Sequence, residues 1–325
     1  CSQPFPPEDS QALAYATPAG ALFRPDRGPS VMSPLEAHLI CLALVAADLA
    51  ARVWRIQWIV QGLGHRLSAK GAFVLNAFGD AASALTPLRI GGEPARLAGM
   101  LRSQVPAAAA FVALSLEALA AWPVLILAAG WLMWAYAPAW LDTVGPRLGH
   151  AAEQAWPWVA AVLLVSIVAW AYARRITSPI GRQLRRPVRR AMVYWRRMPR
   201  WPLVASVPLS VINLATRVAI LPVLAWTLPE PPPLGPTILG SFALLYSQLL
   251  LPTPSGAGAV ELGFLGGAAG DFGEHQGWLL LAWRFYTNGI GVALGIWLAV
   301  QIYGWPALRK LVRSGPAEVR ESASG

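Results

Sequence analysis

The chain has 325 residues, 56% hydrophobic and only 13% charged, with a mean hydropathy of +0.48, whereas soluble domains carry about 25% charged residues. This excludes an ordinary cytosolic enzyme and a disordered chain, and the two cysteines, Cys1 and Cys41, exclude a disulfide scaffold and supply no metal or redox motif. The net charge of +10 is nearly all arginine, Lys70 and Lys310 being the only lysines, so the placement of the arginines decides between nucleic acid, an anionic membrane surface and cytoplasmic loops.

In chain order, residues 1–34 form a Pro-rich amino-terminal segment expected to be poorly ordered. Ala37 to Val60 is largely apolar but holds Asp48, Arg52 and Arg55. Gly71 to Pro94 is apolar until it breaks at Thr86 to Glu93, a cluster containing Pro87, Gly91 and Gly92. Pro106 to Trp140 is a long span containing Glu117. Gln154 to Ala173 is a run of twenty uncharged residues, the length at which a helix crosses a bilayer. Arg174 to Arg200 then holds ten arginines and no acid. Trp201 to Pro229 contains Arg217, and Thr237 to Gly270 breaks at Pro252 to Glu261, a cluster with Pro254, Gly256 and Gly258. Trp278 to Tyr303 is the last span, followed by a basic tail at 309–325. Many of the sixteen tryptophans lie near run ends, which fits interfacial anchoring.

Short cytoplasmic loops keep an excess of Lys and Arg. On that rule the basic loop 174–200, Arg66 with Lys70, Arg96 with Arg102, and the tail are inside. The acidic, cation-poor segments Ala139 to Glu153, Leu228 to Pro236 and Asp271 to Gly277 are outside. A basic loop between two membrane spans meets anionic head groups first, so no nucleic-acid partner is expected. Under this parity 71–94 begins and ends inside and 237–270 begins and ends outside; each must enter the bilayer and return. Pro removes a donor and Gly relaxes the backbone at both breaks, and such backbone is tolerated at membrane depth only inside protein or beside a polar cavity. The expected fold is an all-α polytopic transmembrane bundle with two re-entrant helical hairpins in an inverted repeat. It is divided into a transmembrane domain at 35–308, with repeat one at about 35–140, a linking span at 154–173, the basic loop at 174–200 and repeat two at about 201–303. The expected location is the inner cell membrane, crossed several times.

The string Leu88-Arg89-Ile90-Gly91-Gly92-Glu93-Pro94-Ala95-Arg96, preceded by Pro87, resembles the proline, Gly-Glu and arginine block of the lysylphosphatidylglycerol synthase membrane-region family, the flippase-like integral membrane proteins. Pro252 to Glu261 is similar to its second block, Arg284 in Trp283-Arg284-Phe285-Tyr286 to its late-helix arginine, and Arg52 to Trp58 to its early arginine and tryptophan stretch. The resemblance implies a lipid-handling membrane module, in some relatives fused to an aminoacyl transferase and credited with moving lipid between leaflets. The chain departs from the family at its front, where a further span is usual, and does not begin with Met, which fits a fragment or a processed form. It shows no soluble domain able to charge a lipid head group, so aminoacylation by this chain is not expected.

Charges inside a bilayer cost about 2.5–3.5 kcal/mol each on insertion scales and are functional suspects for that reason. The candidate lipid-binding residues are Arg89, Glu93, Arg96, Glu117, Arg217, Glu261 and Arg284. Arg89, Arg217 and Arg284, with amides freed at the breaks, suit a phosphate, because guanidinium is a planar donor fork. Glu93, Glu117 and Glu261 are expected to hold those arginines in the empty state or to meet a cationic head group. Competing structural readings are an Asp48–Arg52 ion pair, a Glu117–Arg217 pair, and helix capping by Glu93 and Glu261. The four histidines, His38, His65, His150 and His275, have no metal spacing, and no phosphate loop or nucleophile elbow is present, so no catalytic residue, metal or cofactor is expected. The expected function is translocation of an anionic phospholipid or a polyprenyl-phosphate-type lipid. Its alternatives are a membrane-embedded lipid-modifying enzyme or enzyme subunit with Glu93 or Glu261 as base, and a secondary carrier for a small solute. The partner is a lipid with an anionic head; a lipid-synthesising enzyme and further copies of the chain are open as partners.

Overall fold

A computed structural model describes residues 32–86, 88–138, 164, 192–196, 198–248, 256–270 and 272–304. The amino-terminal segment, Pro87, Pro252, Pro254, the linking span 154–173 apart from one residue, most of the basic loop and the tail lie outside the described residues. Helix α1 (Pro34–Gly62) starts on a capping box: Ser33 Oγ accepts from the Glu36 amide at 3.3 Å, the Ser33 amide donates to Glu36 Oε2 at 3.0 Å, and Pro34 fills the first turn. Ser68 caps α2 (Ala69–Leu85), its Oγ accepting from the Gly71 amide at 3.0 Å. There follow α3 (Gly92–Arg102), α4 (Ala107–Pro138), α5 (Trp201–Ala225), α6 (Leu234–Ser247) and α7 (Ala259–Leu265). The last helical run consists of α8 (Gln276–Arg284), a π turn (Phe285–Gly289) and α9 (Ile290–Tyr303). Among the described residues all regular structure is helical apart from one isolated bridge, Ala268 to Gly270.

Among the described residues three helical stretches are long and apolar enough to cross a membrane: Ala107–Pro138, Trp201–Ala225 and Gly273–Ile302, with hydropathies of 2.0, 1.8 and 1.4. Helix α1 has 29 residues but carries Asp48, Arg52 and Arg55. In contrast α3, α6 and α7 have 11, 14 and 7 residues, short of the roughly 20 a crossing needs. Leu127, Trp134, Leu262 and Leu281 are exposed, as expected of side chains whose solvent is lipid rather than water. The chain is an all-α membrane protein.

Helices α1 and α5 run antiparallel at the centre. Cys41 Sγ lies 3.9 Å from the Ile220 carbonyl, Asn213 bonds Asp48, Arg55 reaches Ser210 at 3.1 Å, and a Cβ on Gly62 would come 2.6 Å from Pro202 Cγ. Ala37 and Cys41 join Ile220, Leu221 and Leu224 in one apolar cluster; Ile56, Ile59 and Val60 join Leu75, Met100, Ala109 and Leu116 in another. Two further close approaches cross between the halves of the chain. Helix α9 meets α2, where a Cβ on Gly291 would lie 3.0 Å from Asp80 Oδ2 and one on Gly295 would collide with the Ala77 carbonyl. Helix α6 meets α4, where a Cβ on Gly235 would collide with the Tyr136 ring. Pro222 inside α5 removes the amide that would have bonded the Val218 carbonyl, and Ser241 Oγ of α6 donates to that carbonyl at 3.0 Å, the replacement partner that a low-polarity interior requires.

Candidate functional site

The first break is held by Thr86, whose Oγ1 donates to the Ala82 carbonyl at 2.8 Å and accepts from the Gly91 amide at 2.9 Å. Leu88 and Arg89 both adopt left-handed backbone, with φ of 53° and 58°. Such strain in non-glycine residues persists only where surroundings impose it, and it is concentrated at functional sites. Gly92 accepts no side chain, since a Cβ there would collide with Ser83 Oγ. The turn swings Arg89 across to the other half of the molecule, where its Nη1 donates to Gln248 Oε1 at 2.9 Å and to Asn288 Oδ1 at 3.2 Å. At the second break Gly256 and Gly258 have φ of 67° and 90°. The Gly258 amide donates to Glu261 Oε2 at 2.6 Å, so Glu261 caps α7, and its other oxygen accepts from Arg284 Nη2 at 2.5 Å. The capping and ion-pair readings of Glu261 are therefore both realised.

Two neighbouring cavities result. One, of about 100 Å³, is lined by three arginines, Arg52, Arg55 and Arg96, and three acids, Asp80, Glu93 and Glu117. Its charges pair off: Arg52 with both oxygens of Asp80 at 2.8 Å and with Asp48 at 3.1 Å, Arg55 with Glu117 at 2.6 Å, Arg96 with Glu117 and, at 3.3 Å, with Glu93. The other, of about 90 Å³, is lined by Arg89, Arg217, Leu245, Tyr246, Gln248 and Asn288. It holds two guanidinium groups, and among the described residues no carboxylate lines it. Arg217 donates to the Thr287 carbonyl at 3.2 Å and stands 3.7 Å from Asp48. Gln248 is 1% exposed, and its Nε2 has no hydrogen-bond partner among the described residues. A buried donor without an acceptor costs about 1–3 kcal/mol, and this one belongs to a residue that lines the cavity.

Several expectations need correction. Glu117 and Arg217 do not pair: Glu117 is taken by Arg55 and Arg96, because α1 and α3 both bring a guanidinium to the buried face of α4. Glu93 does not hold Arg89; its side chain is 66% exposed and reaches only Arg96. Arg89 is held by neutral amides, and Arg217 by Asp48 and a carbonyl. Of the expected pairs of Glu93, Glu117 or Glu261 with Arg89, Arg217 or Arg284, only Glu261–Arg284 is present among the described residues. The Asp48–Arg52 pair is present, while Arg55, on the same helix, belongs to Glu117. Gln248, Asn288, Asn213 and Ser210 carry no formal charge, and their sequence signal is only a neutral polar side chain inside an apolar run.

Among the described residues the fold is a helical bundle with apolar helices long enough to cross a membrane and with buried arginines at interior cavities. Residues 28–314 match the family described as the lysylphosphatidylglycerol synthase TM region, and the chain belongs to that family. It is thus a membrane protein connected with lipid metabolism. No curated protein and no solved structure matches the chain.

Proposed function

We propose that this protein binds the anionic head group of a phospholipid or a polyprenyl-phosphate-type lipid and carries it between the leaflets of the inner cell membrane while the acyl chains stay in hydrocarbon. The observation that carries this reading is the cavity in which Arg89 and Arg217 converge with, among the described residues, no lining carboxylate, and which Gln248, whose amide nitrogen has no partner among those residues, also lines. Paired guanidinium groups with a spare donor suit the planar, bidentate recognition of phosphate. Arg96, Glu93, Glu117, Glu261 and Arg284 frame this site as ion pairs that brace the breaks. A carboxylate base has less support, because the acids of the neighbouring cavity are engaged by arginines.

The two breaks act as tips of re-entrant hairpins in an inverted repeat. Supporting this, α1–α2–α3–α4 and α5–α6–α7–α8/α9 follow the same order of long, short, short and long elements, their first helices are antiparallel, and each hairpin's first helix meets the last helix of the other half. The ties from the short helices also correspond with exchanged charge: α3 supplies Arg96 to Glu117 of α4, and α7 supplies Glu261 to Arg284 of α8. With Cys1 and Cys41 replaced, Lys70→Cys is expected to react with an impermeant maleimide only from the cytoplasmic side and Glu274→Cys only from outside. Labelling of both from one side overturns the inverted repeat.

The functional test is movement of tail-labelled phosphatidylglycerol in vesicles containing the purified protein, read by dithionite quenching. Arg89→Gln removes a charge-assisted bond and is expected to slow movement about tenfold or more, and Arg217→Lys, which keeps charge but loses the fork, is expected to slow it as well. Wild-type movement by Arg89→Gln overturns the reading. A changed lipid mass in the same vesicles points to the enzyme alternative instead, and solute uptake without lipid movement to the carrier.

A further inference from the structure

The end of α8 and the π turn behind it carry four residues tied to four different elements. Arg284 bonds Glu261 of α7, and the Tyr286 hydroxyl lies 2.9 Å from His38 Nδ1 of α1. The Thr287 carbonyl accepts from Arg217 of α5 at 3.2 Å, and Asn288 Oδ1 accepts from Arg89 of the first break at 3.2 Å. The Thr287 hydroxyl, meanwhile, donates to the Trp283 carbonyl at 2.7 Å, a local bond that competes with regular helix hydrogen bonding. A π turn is an uncommon interruption of an α-helix that is frequent at functional sites; this one is maintained by its ties.

Two of those ties are neutral oxygens bonded to the two guanidinium groups of the anion cavity. A charged oxygen bonds guanidinium roughly twice as strongly as a neutral one, so an anion entering the cavity displaces both. We infer that the π turn Phe285–Gly289 is a ligand-displaced latch: Asn288 Oδ1 and the Thr287 carbonyl stand in for oxygens of the anionic head group in the empty site and are released, with the turn, when the head group binds. This rests on the anionic-lipid reading and adds the element that senses occupancy and passes it to α1, α5 and α7. Asn288 is a positioning residue that holds Arg89 in place between ligands.

The test uses the full chain in detergent with two probes, dihexanoyl phosphatidic acid and inorganic phosphate. Affinity is read by calorimetry, and motion of the turn by hydrogen exchange of the peptide spanning 285–289. The phosphatidic acid probe is expected to speed exchange of the turn in the wild type. Asn288→Ala, which removes the competing acceptor, is expected to bind it about tenfold more tightly and to exchange fast in this peptide before any probe is added. The near-isosteric Asn288→Asp, which places a fixed carboxylate on Arg89, is expected to bind about tenfold more weakly or worse. Wild-type or weaker affinity in Asn288→Ala, with wild-type exchange, overturns the latch. Failure of the underlying reading is separate: it is indicated if Arg89→Gln binds phosphatidic acid as the wild type does, or if inorganic phosphate binds as tightly as phosphatidic acid.

Discussion

Glu117→Gln is expected to cost about 3–5 kcal/mol of stability, the range found when one partner of a buried ion pair is removed. The Glu117 side chain is 4% exposed and the two guanidinium groups it holds are 7% and 14% exposed. Losing its charge strands Arg55 and Arg96 facing one neutral amide, with solvent-exposed Glu93 as the only carboxylate within ion-pair distance of Arg96 among the described residues. The loss is read as a fall in the thermal midpoint of the purified protein and in the fraction recovered as monodisperse material. Glu93→Gln is the matched comparison. It removes a pair of the exposed kind, worth about 0–1 kcal/mol, and is expected to melt close to the wild type. Equal stability of Glu117→Gln and the wild type would mean that Arg55 and Arg96 find other counter-charges.

The second large effect is on lipid movement rather than on stability. Gly256→Val combined with Gly258→Val forces two β-branched residues into left-handed backbone, at φ of 67° and 90°, which costs about 1–2 kcal/mol per residue even without a clash. At Gly256 there is also a tight contact, because a Cβ would lie 3.1 Å from Gln248 Cα and 3.0 Å from Val260 Cγ2. Gln248 must give by a few tenths of an ångström, which strains its 2.9 Å bond to Arg89. The Gly258 position is open around its would-be Cβ, so there the change acts through backbone strain and through the amide that Glu261 accepts from. The double variant is expected to insert and purify but to lose lipid movement in vesicles. Gly130→Val on α4, where a Cβ meets nothing within 4 Å, is the insertion control and is expected to move lipid normally. Normal movement by the double variant would separate the second break from the pathway.

Local physics makes the helices and their breaks legible in the sequence. Apolar run length marks helices that bury themselves in lipid, so Trp201 to Pro229 and Pro106 to Trp140 are found almost where expected, as Trp201–Ala225 and Ala107–Pro138. Pro and Gly clusters stop helices wherever they occur, so the breaks at Thr86 to Glu93 and before Glu261 were legible, as was the Asp48–Arg52 pair, whose i, i+4 spacing places both on one helix face. Which charges meet is set by the packing of the folded chain. Arg55 and Glu117 are separated by 62 positions, Asp48 and Asn213 by 165, and Arg89 and Asn288 by 199. An apolar run marks a charge as buried but not which helix supplies its partner, because partner choice depends on how α1, α3, α4 and α5 pack. The neutral groups were hidden for a related reason. Gln248, Thr287 and Asn288 carry no formal charge and sit in apolar runs without interrupting them, so their importance comes only from the two arginines that the folded chain places beside them.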